Sequence, residues 1–212
     1  MTALRLYGTP LSHFTRKLRV LLAELEVPFE FERVPGVLET SATAYGDNPL
    51  MRVPTLVHGG HTLIESDHIA RYLVGLYDPD DRFGVRSEHV RDLNRLAVAN
   101  GIMDNEVVLI LAARGGGIDD LEAVSYFRKL TTGIHNGLAW LDADVDDDPE
   151  LDYADIAAIC MFQHAAHYKL VPLYAYTRLA ARVARFAVGR SRARARSASA
   201  ASPRVALARA SC

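Results

Sequence analysis

Two stretches of the sequence place a hydroxyl side chain where a helix is expected to begin. Ser12 lies in TPLSHFTRKL, between a short apolar strand and the first apolar residues at helical spacing. Ser66 lies in IESDHIARYL, where another strand gives way to another helix. A serine at such a place can cap the helix, because its oxygen accepts a hydrogen bond from an unpaired backbone N–H. It can equally meet a ligand, since a helix N-terminus attracts anions. The residue type alone leaves both roles open, and Ser66 is a candidate cap.

The elements that must position these serines alternate between strand and helix over residues 1–77. LRLYG (residues 3–7) predicts a strand, and the apolar residues after Ser12 recur at helical spacing. FEFERV alternates like a second strand. TLVHGGHTLIE predicts a hairpin, because the Gly59-Gly60 pair can adopt the positive φ angles of a tight turn. The predicted order is β-α-β-(short helix)-β-β-α.

The rest of the chain predicts helices. Residues 78–84, DPDDRFG, are polar and turn-rich, and we interpret them as an interdomain linker. Residues 85–186 predict an all-helical domain of four helices. Asp152 and Asp155 have the spacing of a cap and a third helical position at the start of the third of these helices. The glycine run at 115–117 lacks the lysine of a phosphate loop and indicates a helix end.

Composition narrows the class of protein. The chain has 212 residues, half of them hydrophobic, which is enough to bury a core. It contains no apolar run of about 18 residues, so we expect no membrane span, and its N-terminus lacks the pattern of a secretory signal. Cys160 and Cys212 offer neither a disulfide framework nor a zinc spacing, which favours a reducing cytoplasm.

Three segments in a fixed order strongly resemble the glutathione S-transferases of bacterial type. They are YGTPLSHFTRKLRVLLAELEVPFE, NPLMRVPTLVHGGHTLIESDHIARYL and LDYADIAAI, and the resemblance covers roughly residues 3–186. It implies a thioredoxin-like α/β N-terminal domain followed by an all-α C-terminal domain. It also implies a detoxification enzyme that acts as a homodimer, uses glutathione as co-substrate and needs no metal.

The resemblance implies roles for five glutathione-binding residues. Val53 would precede a cis proline, Pro54, so that its backbone N–H and C=O could pair with the cysteinyl part of glutathione. Ser66 and its helix N-terminus would hold the γ-glutamyl carboxylate, and Glu65 would face the ammonium group. Asp104 would reach toward the glutathione of the neighbouring subunit, or else lie on a helix surface.

Ser12 would activate the thiol in this interpretation. Lowering a thiol pKa by two units requires about 2.7 kcal/mol, and a hydrogen bond to a charged group contributes about 1.5–3 kcal/mol. One hydrogen bond from a hydroxyl to the glutathione sulfur is therefore strong enough to lower the thiol pKa by this amount. Tyr7, near the end of the first strand, is the main rival, and Thr9 is a second. Simple helix capping remains the alternative role for Ser12.

The second substrate would be an apolar small-molecule electrophile bound between the domains by Leu11, His13, Ile102 and Met103. Two other functions stay open. The fold could serve a non-enzymatic binding or regulatory protein, or the same thiolate could carry out isomerisation or dehalogenation. The identity of the electrophile does not follow from generic apolar side chains.

One helix carries Cys160, His164 and His167 on one side. Metal binding there would need an acidic or further histidine partner, which the sequence does not place, so we favour a packed helix face and expect no metal.

The C-terminal tail, residues 187–212, consists mainly of Ala, Arg and Ser, and no acidic residue follows Asp155. Such composition favours disorder. A frame shift near residue 187 is our hypothesis for its origin. A nucleic-acid-binding tail is the competing interpretation, and we expect neither a nucleic-acid nor a membrane partner.

Overall fold

The N-terminal part of the chain is a four-stranded mixed sheet with helices packed on it. The structure is a computed structural model that describes residues 3–115, 120–146, 148 and 150–186. The elements are β1 (Arg5–Gly8), α1 (His13–Glu24), β2 (Glu30–Arg33), a 3-10 helix (Ala42–Tyr45), β3 (Thr55–His58), β4 (His61–Ile64) and α2 (Ser66–Tyr77). Their order confirms the predicted thioredoxin-like arrangement.

The sheet has the strand order β2-β1-β3-β4. β1 pairs in parallel with β2 and antiparallel with β3, and β3 pairs antiparallel with β4. The last pair is the predicted hairpin, and Gly59 and Gly60 have φ angles of 58° and 82° at its turn. Tyr7 pairs with Thr55, and Thr55 pairs with Ile64. The ends of β1 and β4 and the start of β3 therefore lie together at one end of the sheet, which we call the sheet edge.

In the C-terminal part that the structure describes, the regular elements are helices. They are α3 (Val90–Gly115), α4 (Ser125–Asp144), α5 (Tyr153–Tyr168) and a helical segment at residues 177–186. α4 begins at Ser125, after a local turn in which the Asp120 side chain accepts the N–H groups of Glu122 and Ala123. The Asp152 cap of α5 is confirmed: Asp152 and Asp155 form a reciprocal capping box.

Each part has its own hydrophobic core. One core lies between the sheet, α1 and α2, and the other lies among α3, α4 and α5. Leu96 and Phe83 pack against both cores and so join them. The division into residues 1–77, a linker at 78–84 and a domain at 85–186 stays a prediction, and the predicted tail, residues 187–212, lies outside the described residues.

The predicted cap of α2 is wrong by one residue. Glu65, not Ser66, is the N-cap, with φ of 75°, and its carboxylate accepts the Ser66 N–H. Ser66 is instead the first residue inside the helix, which places its hydroxyl at the positive end of the helix dipole.

α3 is the one described helix that is long and apolar enough to cross a membrane by length and composition. About a third (33%) of its most apolar window is buried, and core helices of globular domains meet the same criteria. α3 also buries Arg95 and Glu106 against its neighbours, and it packs against α4 and α5. We therefore interpret it as a core helix.

Candidate functional site

The three motifs singled out in the sequence meet at one edge of the sheet. The strand pairing brings together the loop after β1, which carries Ser12, the bend before β3, at Val53-Pro54, and the junction between β4 and α2, at Glu65-Ser66. Two helices, α1 and α2, begin at this edge. The partial positive charge at each of these helix N-termini suits the anionic groups of a ligand.

Ser12 caps α1, and its O–H group is still available as a hydrogen-bond donor. Its Oγ accepts the Thr15 N–H at 3.2 Å, and its own N–H donates to the Thr9 carbonyl, which makes Thr9 a turn residue. A hydroxyl that accepts one bond still has its O–H to donate. The next backbone amide, that of His13, donates to no residue that the structure describes. The start of α1 thus offers two donors to a ligand.

The Val53–Pro54 peptide bond is cis, as expected. The bend is held by Asn48, whose side-chain amide donates to the Arg52 carbonyl at 3.0 Å. In the described part of the chain, nothing pairs with the backbone N–H or C=O of Val53. Val53 can therefore extend the sheet edge by hydrogen-bonding to an extended ligand.

The start of α2 already binds a carboxylate, that of Glu65. The Ser66 N–H and hydroxyl donate to Glu65 Oε1 at 2.8 and 3.2 Å. Glu65 is exposed whereas Ser66 is buried. The same two donors suit the carboxylate of a ligand.

Asp104 of α3 faces this junction from the helical domain. Its pKa is raised, first by partial burial and then by the nearby charge of Glu65, while Arg52 and Lys17 oppose the rise. Asp104 therefore lies near the site of its own chain. Two neighbouring carboxylates favour a cation between them.

A buried polar network supports the site, and the sequence analysis missed it. Lys17 of α1 is completely buried, and its Nζ donates to Asp67 at 2.6 Å and to Asn100 at 2.8 Å. The Tyr153 hydroxyl donates to the same Asp67 oxygen at 3.0 Å. Since Asp67 follows Ser66, the network ties α1 and the start of α2 to the helical domain. The available signal was a lysine on the apolar side of α1.

The Tyr7 side chain lies on the side of the sheet opposite the one that Gly8 turns toward α1, and its role in thiol activation stays a prediction. Gly8, its neighbour in β1, faces Thr15 of α1 so closely that a side chain there would clash. Successive strand residues face opposite sides of the sheet. The Tyr7 ring accordingly packs over Gly46, where a Cβ would lie 2.7 Å from the ring, and its hydroxyl accepts a hydrogen bond from Arg5.

The predicted second-substrate residues divide into one exposed and three buried side chains. Leu11 is 53% exposed, whereas the side chains of His13, Ile102 and Met103 are buried in the core. These three do not line an open surface, which corrects the expectation. The spacing of apolar residues located them on their helices without revealing which face the partner helix covers.

The side of α5 with Cys160, His164 and His167 is mostly packed. Cys160 and His164 are buried and His167 is exposed. His164 contacts Glu106 of α3 and His13 of α1, two partners that the sequence could not place.

Known proteins are similar to the N-terminal part of this chain in sequence and to most of the chain in fold. Residues 6–81 match the family described as "Glutathione S-transferase, N-terminal domain". Glutathione S-transferase 3 of Zea mays is 40% identical over 81 residues, which cover 36% of this chain and 36% of the maize protein. The match thus spans about a third of that relative.

Crystal structures extend the similarity to both domains. A glutathione transferase family member from Pseudomonas fluorescens with bound glutathione is 25% identical, with a TM-score of 0.70 over 88% of this chain and 94% of that one. A glutathione S-transferase from Methylobacterium radiotolerans, in complex with glutathione sulfonate, is 23% identical and shares the fold, with a TM-score of 0.73 over 87% and 90%.

Proposed function

We propose that this chain, whose residues 6–81 match the glutathione S-transferase N-terminal domain family, is a glutathione transferase. It binds glutathione at the sheet edge and joins the sulfur to an electrophilic carbon of an apolar substrate. The convergence of Ser12, Val53 and Ser66 at that edge carries the proposal.

The chemical groups of glutathione match the groups at the edge one by one. The γ-glutamyl carboxylate takes the Ser66 N–H and hydroxyl in place of Glu65. The ammonium group lies between the Glu65 and Asp104 carboxylates, whose mutual repulsion a cation relieves. The cysteinyl backbone pairs with the free N–H and C=O of Val53.

The sulfur then lies at the start of α1. A free thiol has a pKa near 8.5, so only a few per cent is thiolate at neutral pH. The Ser12 hydroxyl and the His13 backbone N–H can both donate to a thiolate, and the α1 dipole adds about 0.3–1 kcal/mol. These groups favour the anion over the neutral thiol.

Reaction follows from holding the thiolate beside the electrophile. The sulfur forms a bond to the electrophilic carbon while the bond to the leaving group breaks with its electron pair, and the thiol proton passes to solvent beforehand. Binding both reactants side by side makes the step effectively unimolecular. Leu11, exposed next to Ser12, is the remaining candidate contact for the apolar substrate.

We further propose that the protein is a cytoplasmic homodimer and that it serves in detoxification.

Thiolate absorbance of bound glutathione tests the proposal. We expect a thiol pKa about two units below 8.5 in the wild type and a rise of about 1–2 units in Ser12→Ala, because one charge-assisted hydrogen bond is lost. Ser12→Thr, which keeps the hydroxyl, is the matched control.

Two other results would change the assignment. An unshifted thiol pKa in the wild type would favour the non-enzymatic binding protein. A lowered pKa that survives in Ser12→Ala would move the role to the His13 amide or to the rivals Thr9 and Tyr7.

A further inference from the structure

Three buried titratable side chains join the start of α1 to the helical domain. His13 of α1, Glu106 of α3 and His164 of α5 expose 1%, 0% and 8% of their surfaces. Glu106 Oε2 lies 2.5 Å from His164 Nδ1 and 3.3 Å from His13 Nε2. The two imidazole rings lie against each other, with centroids 3.9 Å apart. We call these residues the His13 cluster.

A metal site is the first explanation to consider, because two imidazoles and a carboxylate can bind zinc and the donor atoms lie within 4.8 Å of one another. The hydrogen bond at His13 opposes it. The Phe14 N–H donates to His13 Nδ1 at 3.1 Å, so the neutral ring carries its proton on Nε2. A ligand histidine needs the reverse, with Nε2 free for the metal and Nδ1–H donating.

The His13 cluster is electrically neutral near pH 7. Burial lowers the pKa of His13 to about 2 and that of His164 to about 4, and it raises the pKa of Glu106 to about 9. The charges of His164 and Lys17 lower the pKa of His13 further, while the Met103 backbone opposes this fall. The charges of His167 and Arg16 lower the pKa of His164 further. The Glu106 acid then donates its proton to His164 Nδ1. A neutral hydrogen-bonded pair avoids the cost of burying charge.

The cluster acts on the same helical turn as Ser12. The His13 ring and the Ser12 oxygen each accept one N–H of the first turn of α1. One turn later, Arg16 donates to Gln163 of α5. The opposite side of this turn packs on Gly8, as described above. Glu106, whose Oε2 lies 3.3 Å from His13 Nε2, and His164, whose ring packs against the His13 ring, therefore contact the side chain of the residue after Ser12.

We propose that Glu106 and His164 are positioning residues for thiol activation. They hold the His13 ring, and through it the Ser12 hydroxyl and the His13 amide, at the place where the glutathione sulfur binds. This inference rests on the proposed thiol activation at Ser12. A displacement of about 1 Å in a reacting geometry can cost as much as a hundredfold in rate.

Two variants remove the contact without touching the glutathione-binding groups. Glu106→Met replaces the carboxyl by an apolar side chain of similar length, and His164→Phe keeps a ring against His13 but removes Nδ1. In both, we expect the thiol pKa of bound glutathione to rise and kcat with an activated aryl chloride to fall about ten- to a hundredfold. KM for glutathione should stay near the wild-type value, since Val53, Glu65 and Ser66 are unchanged.

Glu106→Gln is the rescue variant, because its amide N–H can donate to His164 Nδ1 as the protonated acid does. It should keep most of the lowered thiol pKa. His167→Gln changes an exposed histidine on the same helix and serves as the control for substitutions on α5. If Glu106 had a purely structural role, its substitutions would lower the melting temperature, but the thiol pKa would not differ between the Met and Gln variants.

The outcomes separate the inference from the proposed function. No lowered thiol pKa in the wild type would overturn both. A lowered pKa that Ser12→Ala abolishes, but Glu106→Met and His164→Phe preserve, would overturn only the positioning role. Should Glu106→Met fail to fold, His164→Phe decides. Loss of the lowered pKa on adding a chelator to the wild type would overturn the role in favour of a metal site.

Discussion

Ser12 illustrates how one hydroxyl can serve the helix and the ligand. Its lone pair accepts the Thr15 N–H, which is ordinary capping. Its O–H proton stays available to a sulfur at the helix start. The two roles considered for this residue therefore do not compete. The His13 ring nitrogen Nδ1 accepts the Phe14 N–H. Two N–H groups of the first turn of α1 are therefore paired, while the Ser12 O–H and the His13 N–H stay available to a ligand.

A single substitution at Glu65 gives a testable prediction about the glutathione site. In Glu65→Gln, the amide oxygen can still accept the Ser66 N–H, so the α2 cap survives, but the negative charge that we propose lies opposite the glutathione ammonium is lost. We expect KM for glutathione to rise about tenfold or more, the equivalent of one charge-assisted hydrogen bond, with little change in kcat. Steady-state kinetics and calorimetric titration with glutathione measure this.

A matched control for Glu65 is Glu122→Gln, which makes the same change on an exposed residue far along the chain. The pKa of Asp104 should also fall in Glu65→Gln, because a like charge nearby is removed. A fall in kcat with an unchanged KM would contradict the assigned role of Glu65.

At the scale of elements, α5 is a core helix of the helical domain, because nearly all of its side chains up to Ala165 are buried. Such a helix cannot rely on an amphipathic pattern, and its ends must be defined by capping. The carboxylates of its capping box also bind arginines of other elements. Arg95 of α3 contacts both Asp152 and Asp155, and Arg182 contacts Asp155.

The capping box predicts a graded loss of stability. Asp152→Ala should lower the free energy of unfolding by about 1–2 kcal/mol for the cap alone, and further because Arg95 loses a partner. Asp152→Asn keeps a capping side chain and removes only the charge, so it should lose less. Urea denaturation of both variants measures the difference, and an Asp152→Ala protein as stable as the wild type would refute it.

At the scale of the whole molecule, buried polar contacts connect the two cores. Lys17 and His13 are both side chains of α1, and both find their partners on α2, α3 or α5. Removing one partner from a buried charged pair typically costs several kcal/mol. These contacts make the relative position of the domains specific, which matters because the proposed site draws Ser12 from one domain and Asp104 from the other.

The His13 cluster predicts how stability depends on pH. Glu106 has a folded pKa of about 9 against an ordinary 4.5, so the folded state holds an extra proton between these values and stability falls as pH rises toward 9. His13 and His164 have folded pKa values of about 2 and 4 against 6.5, so their contribution is lost as pH falls below 6.5.

From these three groups, we expect maximal stability near pH 6.5. Glu106→Gln should abolish the part of the decline between pH 6.5 and 9 that Glu106 causes, and it should make the rise in stability between pH 4.5 and 6.5 steeper, because Glu106 opposes the histidines over that range. Melting temperatures across this range provide the measurement. An alkaline decline identical in the variant and the wild type would show that Glu106 does not carry it.

Much of this protein follows from the sequence alone. Local signals specified the order of strands and helices, the glycine turn of the hairpin, the Asp152 capping box and the positions of Ser12 and Val53-Pro54. These features depend on neighbours within a few residues, which the sequence displays directly. The resemblance to glutathione S-transferases then indicated how the motifs converge.

Only the tertiary structure decided which helix faces meet. Periodicity located Lys17 and His13 on α1, but it could not reveal Asp67, Glu106 and His164 as their partners, because these lie on other elements far along the chain. For the same reason, the sequence could not show that Ile102 and Met103 are buried core residues. Packing between distant segments determines burial, and burial determines which polar groups are paired, which are neutral and which remain free for a ligand.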